Sequence, residues 1–160
     1  MTTTETTTPK VTRYSMKVPL LTSGRTNQVL ARTDTVEVRA KVYAAGGENA
    51  LHTHLDEDHT FFVLDGEATF YGPDDTPTVV GRLEGLMIPA GAYYRFESTG
   101  DTNLVLLRFG ADVEPLEGGA EAPRVGIDGL PRPRDRWARF SASFPPASPL
   151  VAPSRPFRSA

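Results

Sequence analysis

The chain contains no cysteine. That excludes a disulfide framework, a zinc ribbon and a thiolate cluster, so any metal must be held by nitrogen and oxygen donors. It does not fix the compartment, although it suits a reducing cytoplasm. The opening stretch from Met1 to Lys10 is threonine-rich and lacks both a basic and an apolar region, so no secretory signal is expected there. No apolar run approaches the roughly 18 residues of a membrane span. A length of 160 residues suffices for one real core but not for two comfortable domains. The expectation is a soluble, cytoplasmic protein with no membrane partner.

A helical stripe is also missing between residues 27 and 110. What stands there is short-period alternation. Val36, Val38, Ala40 and Val42 alternate with Glu37, Arg39, Lys41 and Tyr43, which predicts a strand with one buried face. A break at Ala44–Gly47 leads to a short strand over Leu51–Leu55, then an acidic turn at Asp56–Asp58 and a strand from His59 to Leu64. Asp65-Gly66 is a hairpin signal returning through Glu67–Tyr71. Further short strands are expected at Thr78–Val80, Leu86–Ile88, Ala92–Glu97 and Leu104–Phe109, separated by Gly, Pro and Asp turns. Many short strands punctuated this way predict an all-β sandwich or small barrel.

The two ends differ from this middle. Residues 1 to 26 read as a flexible segment with a possible first strand, and 27 to 112 as the barrel. Residues 113 to 160 read as an extended, Pro- and Arg-rich arm, in which only a weak element around Trp137 to Phe140 is expected. Nine prolines fall in residues 111–160, a composition that cannot pack by itself. Six arginines against one acid fall in residues 131–160, while the remainder carries eleven bases and nineteen acids. Aromatic interleaving is thin in the basic stretch, so the expectation is a tail lying on its own acidic body or on a sister subunit, with no nucleic acid bound.

All three histidines of the chain lie within eight residues: Gly46-x5-His52-x-His54-x4-His59-x6-Gly66. Neutral imidazole is the commonest side-chain metal ligand. The i, i+2 spacing of His52 and His54 sets both rings on one face of a strand, where they can grip one ion. The plainer alternative is a set of strand histidines bonded to carbonyls. For His59 the competing carboxylates are Glu57 and Asp58. Alternation puts Phe61 and Val63 on the His59 face, so its ring is expected to point into an apolar interior.

This spacing resembles the first signature of the cupin family, Gly-x5-His-x-His-x3–4-Glu-x6-Gly, with His59 where the family has Glu. The second signature, Gly-x5-Pro-x-Gly-x2-His-x3-Asn, is worn. Pro89 and Gly91 match, while Leu83 replaces the first Gly, Tyr94 the His and Ser98 the Asn. The resemblance covers about residues 35 to 110 and implies a jelly-roll β-barrel. Carried over position by position, it implies metal ligands at His52, His54, His59 and Tyr94. Tyr94 is also the candidate catalytic proton donor, either coordinating the ion or hydrogen-bonding a ligand to it. Alternation sets Tyr94 with Ala92 and Phe96 and turns Arg95 outward. Arg108 is expected at the rim and Met87 and Phe70 are candidate cavity residues. Glu48 and Asn49 are expected only to shape the turn before the ligand strand, and Trp137 to anchor the tail.

Three neutral imidazoles would leave a divalent ion its full charge and favour an anionic, chelating substrate such as an enolate, a β-dicarbonyl or a phenolate. The expected cofactor is one divalent transition metal per chain, iron first, with zinc, nickel or manganese as alternatives. The expected function is that of a metal-dependent cupin acting on an oxygen-rich small molecule, dioxygenase-like with non-haem iron. A redox-neutral lyase, isomerase or cyclase is the alternative, and a non-catalytic metal- or ligand-binding cupin a second one. Single-domain cupins resemble one another in pairing through sheet edges, which implies a homodimer.

Overall fold

The computed structural model describes residues 10–44, 50–112 and 124–131. Among them are ten strands and no helix, so no helix is long and apolar enough to cross a membrane. The strands are β1 (Arg25–Arg32), β2 (Val36–Tyr43), β3 (His52–His54), β4 (Glu57–Asp65) and β5 (Ala68–Tyr71). They continue with β6 (Pro77–Val80), β7 (Gly85–Ile88), β8 (Arg95–Ser98), β9 (Leu104–Asp112) and β10 (Arg124–Gly126). Three antiparallel sheets result, in the orders β1-β2-β9-β4-β7, β6-β5-β8 and β10-β3. Together they form the double-stranded barrel expected of a jelly roll.

The interior is found by following the ladders, since residues directly opposite in antiparallel strands share a face. On β9, Leu104, Leu106, Arg108 and Gly110 oppose Tyr43, Lys41, Arg39 and Glu37 of β2. From the other side, Val63, Phe61 and His59 of β4 face Leu106, Arg108 and Gly110. Tyr43, Phe61, Val63, Leu104 and Leu106 belong to one buried apolar cluster, together with Phe70, Tyr94 and Phe96. This face is therefore the barrel interior. Aromatic rings knit the two large sheets together: Phe61–Phe96 centroids lie 5.5 Å apart, Phe61–Phe70 5.4 Å and Tyr43–Phe96 5.1 Å.

Four expectations change here. Strand β2 was expected to bury Val38, Ala40 and Val42 and expose its polar side. Both sides are buried, and Glu37, Arg39 and Lys41 line the interior with Tyr43. Their charges are tolerable inside because most of them neutralise one another, as described below. Next, the acidic turn is shorter than expected, because β4 already begins at Glu57. Third, the first strand, expected within residues 1–26, is β1 at Arg25–Arg32, which lies mostly inside the stretch assigned to the barrel. Its sequence Arg-Thr-Asn-Gln-Val-Leu-Ala-Arg has no alternation, and its ladder with β2 slips between Val29 and Ala31. Finally, within the extended arm, Arg124–Gly126 forms β10 and pairs with His54–His52 of β3. Trp137, the element around it, Gly46, Glu48, Asn49 and residues 1–9 lie outside the described residues.

The worn second motif does local work. Gly91, at φ +82°, suits a glycine, and its N–H donates to the His54 carbonyl at 2.8 Å. Tyr94 and His52 then exchange backbone hydrogen bonds of 3.1 and 2.9 Å. These bonds bring Tyr94 to the histidine strand. Leu83, where the motif has glycine, takes a left-handed φ of +67° with its side chain exposed.

Candidate metal site

The inward side chains of β3 and the start of β4 converge. His54, Glu57 and His59 are all buried, and one donor atom from each lies within 4.8 Å of the others. Glu57 Oε2 stands 2.8 Å from His59 Nε2 and 3.6 Å from His54 Nδ1. His54 Nδ1 is buried with no hydrogen-bond partner. Two imidazole nitrogens and a carboxylate oxygen thus crowd one point. A carboxylate and two imidazole lone pairs repel unless a proton or a cation stands between them. An orphaned imidazole nitrogen beside a carboxylate is what a divalent ion would satisfy, so these residues fit a metal.

One protein cation already reaches the point. Arg108 Nη2 donates to Glu57 Oε1 at 2.6 Å and to His59 Nε2, while Nη1 lies 3.3 Å from Glu37 Oε1. Glu37 is held in turn by Arg39 and Arg32. Gly110 makes the room: a Cβ there would overlap the Glu57 carboxylate and come within 3.3 Å of the Arg108 guanidinium. Arg108 only donates and so calls for a lone pair on His59 Nε2, whereas the Glu57 carboxylate 2.8 Å away calls for a proton on the same atom. His59 Nδ1 pairs with the Tyr94 hydroxyl at 3.1 Å, so Tyr94 orients the ring in either tautomer.

Burial governs the proton affinities. It pushes the His59 imidazole down to about 2, helped by the nearby Arg108 and Lys41 charges. His54 is pushed far down by burial, then by His59 and Arg108. Burial raises Glu57 above the usual carboxylate value against the pull of Arg108. Glu37 is also pushed up by burial, but Arg39 and Arg32 outweigh that and hold it low. Tyr94 is raised well above 10 by burial, so its hydroxyl keeps its proton.

Of the four sequence-predicted ligands, His54 and His59 enter the cluster. His52 lies beside it, its ring 5.3 Å from that of His54 and 4.6 Å from that of Tyr94. Its Nδ1 donates to the Ala50 carbonyl at 2.7 Å, which leaves the lone pair on Nε2. Tyr94 is buried and touches the site through His59 rather than through the Glu57 carboxylate. Between the two competing carboxylates the structure separates clearly. Asp58 is exposed and accepts the Ala90 N–H at 2.7 Å, whereas Glu57 points inward. The alternation that placed Phe61 beside His59, continued two residues back, reaches Glu57.

Other expectations are corrected. Arg108 is buried within the interior rather than at the rim, sharing the face of Leu104 and Leu106. Met87 is 68% exposed and lines no cavity; it accepts the Thr60 hydroxyl at 3.2 Å. Phe70 belongs to the apolar core. Arg95 does turn outward, lying 3.9 Å over the Tyr71 ring and pairing with Glu97 and Asp75.

Comparison with known proteins agrees with this architecture. Residues 41–109 match the family described as the cupin domain. A conserved double-stranded β-helix protein from Klebsiella pneumoniae is 18% identical with a TM-score of 0.55, over 62% of this chain and 81% of that one. The cupin domain of Cnp3 from Schizosaccharomyces pombe is 17% identical with a TM-score of 0.52, over 55% and 64%. KdgF from a Halomonas species is 15% identical with a TM-score of 0.50, over 55% and 79%. At such identities the likeness speaks for the fold alone. No curated protein matches. The jelly-roll barrel, the histidine strand and the family match agree on one stretch: residues 41–109 are a cupin domain.

Proposed function

We propose that this protein is a metal-dependent cupin acting on an oxygen-rich, chelating small molecule, and that the reaction is oxygenation. The observation that carries this reading is the meeting of His54 Nδ1, Glu57 Oε2 and His59 Nε2, where Arg108 reaches His59 and the Glu57 carboxylate but His54 Nδ1 is left without a partner. His54, Glu57 and His59 would hold the ion, with His52 as a fourth donor through Nε2. When bound, a divalent transition ion supplies Lewis acidity and, in the case of iron, redox chemistry with dioxygen.

The protein's own residues set the rest. Glu57 lowers the charge of the ion relative to an all-histidine set, and the Arg108 guanidinium beside it restores positive field at the same place. An incoming cation competes with Arg108 for His59 and Glu57, and Arg108 retains Glu37 as a partner. Tyr94 holds a proton on a buried hydroxyl one hydrogen bond from His59. That proton favours the second reading, a redox-neutral lyase, isomerase or cyclase in which Tyr94 serves as proton donor.

Metal analysis of the purified protein, followed by oxygen-electrode assays with acetylacetone and catechol, separates the readings. Bound iron with oxygen uptake upholds oxygenation. Stoichiometric zinc or nickel, with substrate turnover that consumes no oxygen, sinks it in favour of redox-neutral chemistry. Ligand binding without turnover leaves a cupin that binds but does not catalyse.

A further inference from the structure

Lys41 sits on β2 with its side chain in the barrel interior. It is 5% exposed, on the same face as Arg39 and Tyr43, and it opposes Leu106 of β9 and Asn27 of β1. Among the described residues its amine has no hydrogen bond and no ion pair. The acids nearby are already engaged: Glu37 by Arg32, Arg39 and Arg108, and Glu57 by Arg108 and His59. Besides burial itself, the largest influences on Lys41 are the positive charges of Arg108, Arg124, Arg39 and Arg25. Arg124 enters from β10, where it opposes His54 and so shares that residue's face. Lys41 is close enough to the site for its charge to be felt at His59.

A buried amine without an acceptor is costly, and a fold gains nothing from adding more cations around it. Burial and these neighbours push the amine well below its usual value in the ligand-free protein. What such an arrangement lacks is an anion. Three cationic side chains, Arg39, Lys41 and Arg108, are buried in this interior with two acids, Glu37 and Glu57, while Arg124 and Asp112 stand half-buried beside them.

We propose that Lys41 is the substrate-anchoring residue of this site, and that the ligand it takes is a small carboxylate whose negative oxygen pairs with the Lys41 amine inside the barrel. This deepens the functional reading above and rests on it only in placing the ligand beside His54, Glu57 and His59. The carboxylate brings the missing acceptor, and Lys41 becomes an ammonium within a charge-assisted pair. Arg108 and Arg124 add long-range attraction without needing to give up their own partners.

The test is calorimetric titration of the full chain with malonate, alongside its uncharged diamide malonamide. Wild type should bind malonate and reject malonamide. Lys41→Met should weaken malonate binding by roughly thirtyfold or more. The same variant should melt about 3 °C higher, since it removes an uncompensated buried amine. Lys41→Gln, similar in length but uncharged, should show the same loss of binding and separates charge from shape. Malonate affinity unchanged in both variants overturns the proposal, as does a lowered melting temperature in both, which would mark Lys41 as a structural cation. Failure of wild type to bind malonate, oxalate and acetoacetate alike overturns it too. His59→Ala keeps the two readings apart. Malonate binding that survives there but fails in Lys41→Met upholds the anchor without the metal. Metal binding in Lys41→Met with unchanged malonate affinity upholds the metal without the anchor.

Discussion

Along β4 the inward side chains are Glu57 and His59 at one end and Phe61 and Val63 at the other. Strand β2 repeats the change, from Glu37, Arg39 and Lys41 to Tyr43, and β9 repeats it in reverse, from Leu104 and Leu106 to Arg108 and Gly110. The same three strands therefore build an apolar half and a charged half of one interior. In the apolar half, stability comes from burying area, including the interlocked rings of Phe61, Phe70 and Phe96. In the charged half, burial costs free energy that ion pairs only partly return. A fold that needed only stability would have continued the apolar half. The charged half is the mark of a site, because functional clusters are where proteins give up stability.

The contrast can be broken most forcefully at the apolar end. Phe96→Ala removes a fully buried ring in contact with Tyr43, Phe61 and Phe70 and should cost about 3–5 kcal/mol of unfolding free energy, measured by urea denaturation. Metal affinity of the folded fraction should stay unchanged. Gly110→Ala acts at the opposite end. Its methyl group displaces the Glu57 carboxylate, so about 1–3 kcal/mol of stability should be lost together with most of the metal affinity. Equal metal binding by this variant would show that Glu57 takes no part.

Acid should sharpen the same difference. In the metal-free protein His59 is held down at about 2, and His54 is also far below its ordinary value. Both stay neutral while the unfolded chain takes up protons below about 6.5. Stability is therefore whole above that pH and falls as the pH drops toward the folded values, by about 1.4 kcal/mol per histidine per pH unit. Glu57, raised by burial, keeps its proton longer than the unfolded chain and offsets part of the loss just above pH 4.5. Denaturation curves at pH 7 and 5 check this, with His54→Asn expected to flatten the slope; equal stability at both would contradict it. The smallest effect lies outside both halves. Leu83 is exposed and held at φ +67°, so Leu83→Gly should raise stability by about 1 kcal/mol and leave metal binding alone.

The apolar half was legible in the sequence, and the charged half only in outline. Phe61, Val63, Leu104 and Leu106 stand in the apolar runs Phe61–Leu64 and Leu104–Leu107, which announce buried strands, and Phe96 alternates with Arg95 and Glu97. On β2 the same rule misled. Val38, Ala40 and Val42 are more apolar than Glu37, Arg39 and Lys41, and hydropathy alone turns the charges outward. Their inward placement depends on pairing partners from β9 and β1, which no local pattern contains. Arg108 was recoverable, since it keeps step with Leu104 and Leu106. Glu57 was recoverable too, since it keeps step with His59. Strand β10 was not, because three residues in a Pro-rich arm carry no period and gain their structure from the edge of β3.

The central claim is that His54, Glu57 and His59 hold one divalent ion in the charged half of the barrel. Titration of the metal-free full chain with Fe(II) under nitrogen, and with Zn(II), tests it directly in wild type and His59→Ala. One ion per wild-type chain, lost in a His59→Ala variant whose circular dichroism is unchanged, is the expected result. Equal stoichiometry and affinity in the two proteins would contradict the account.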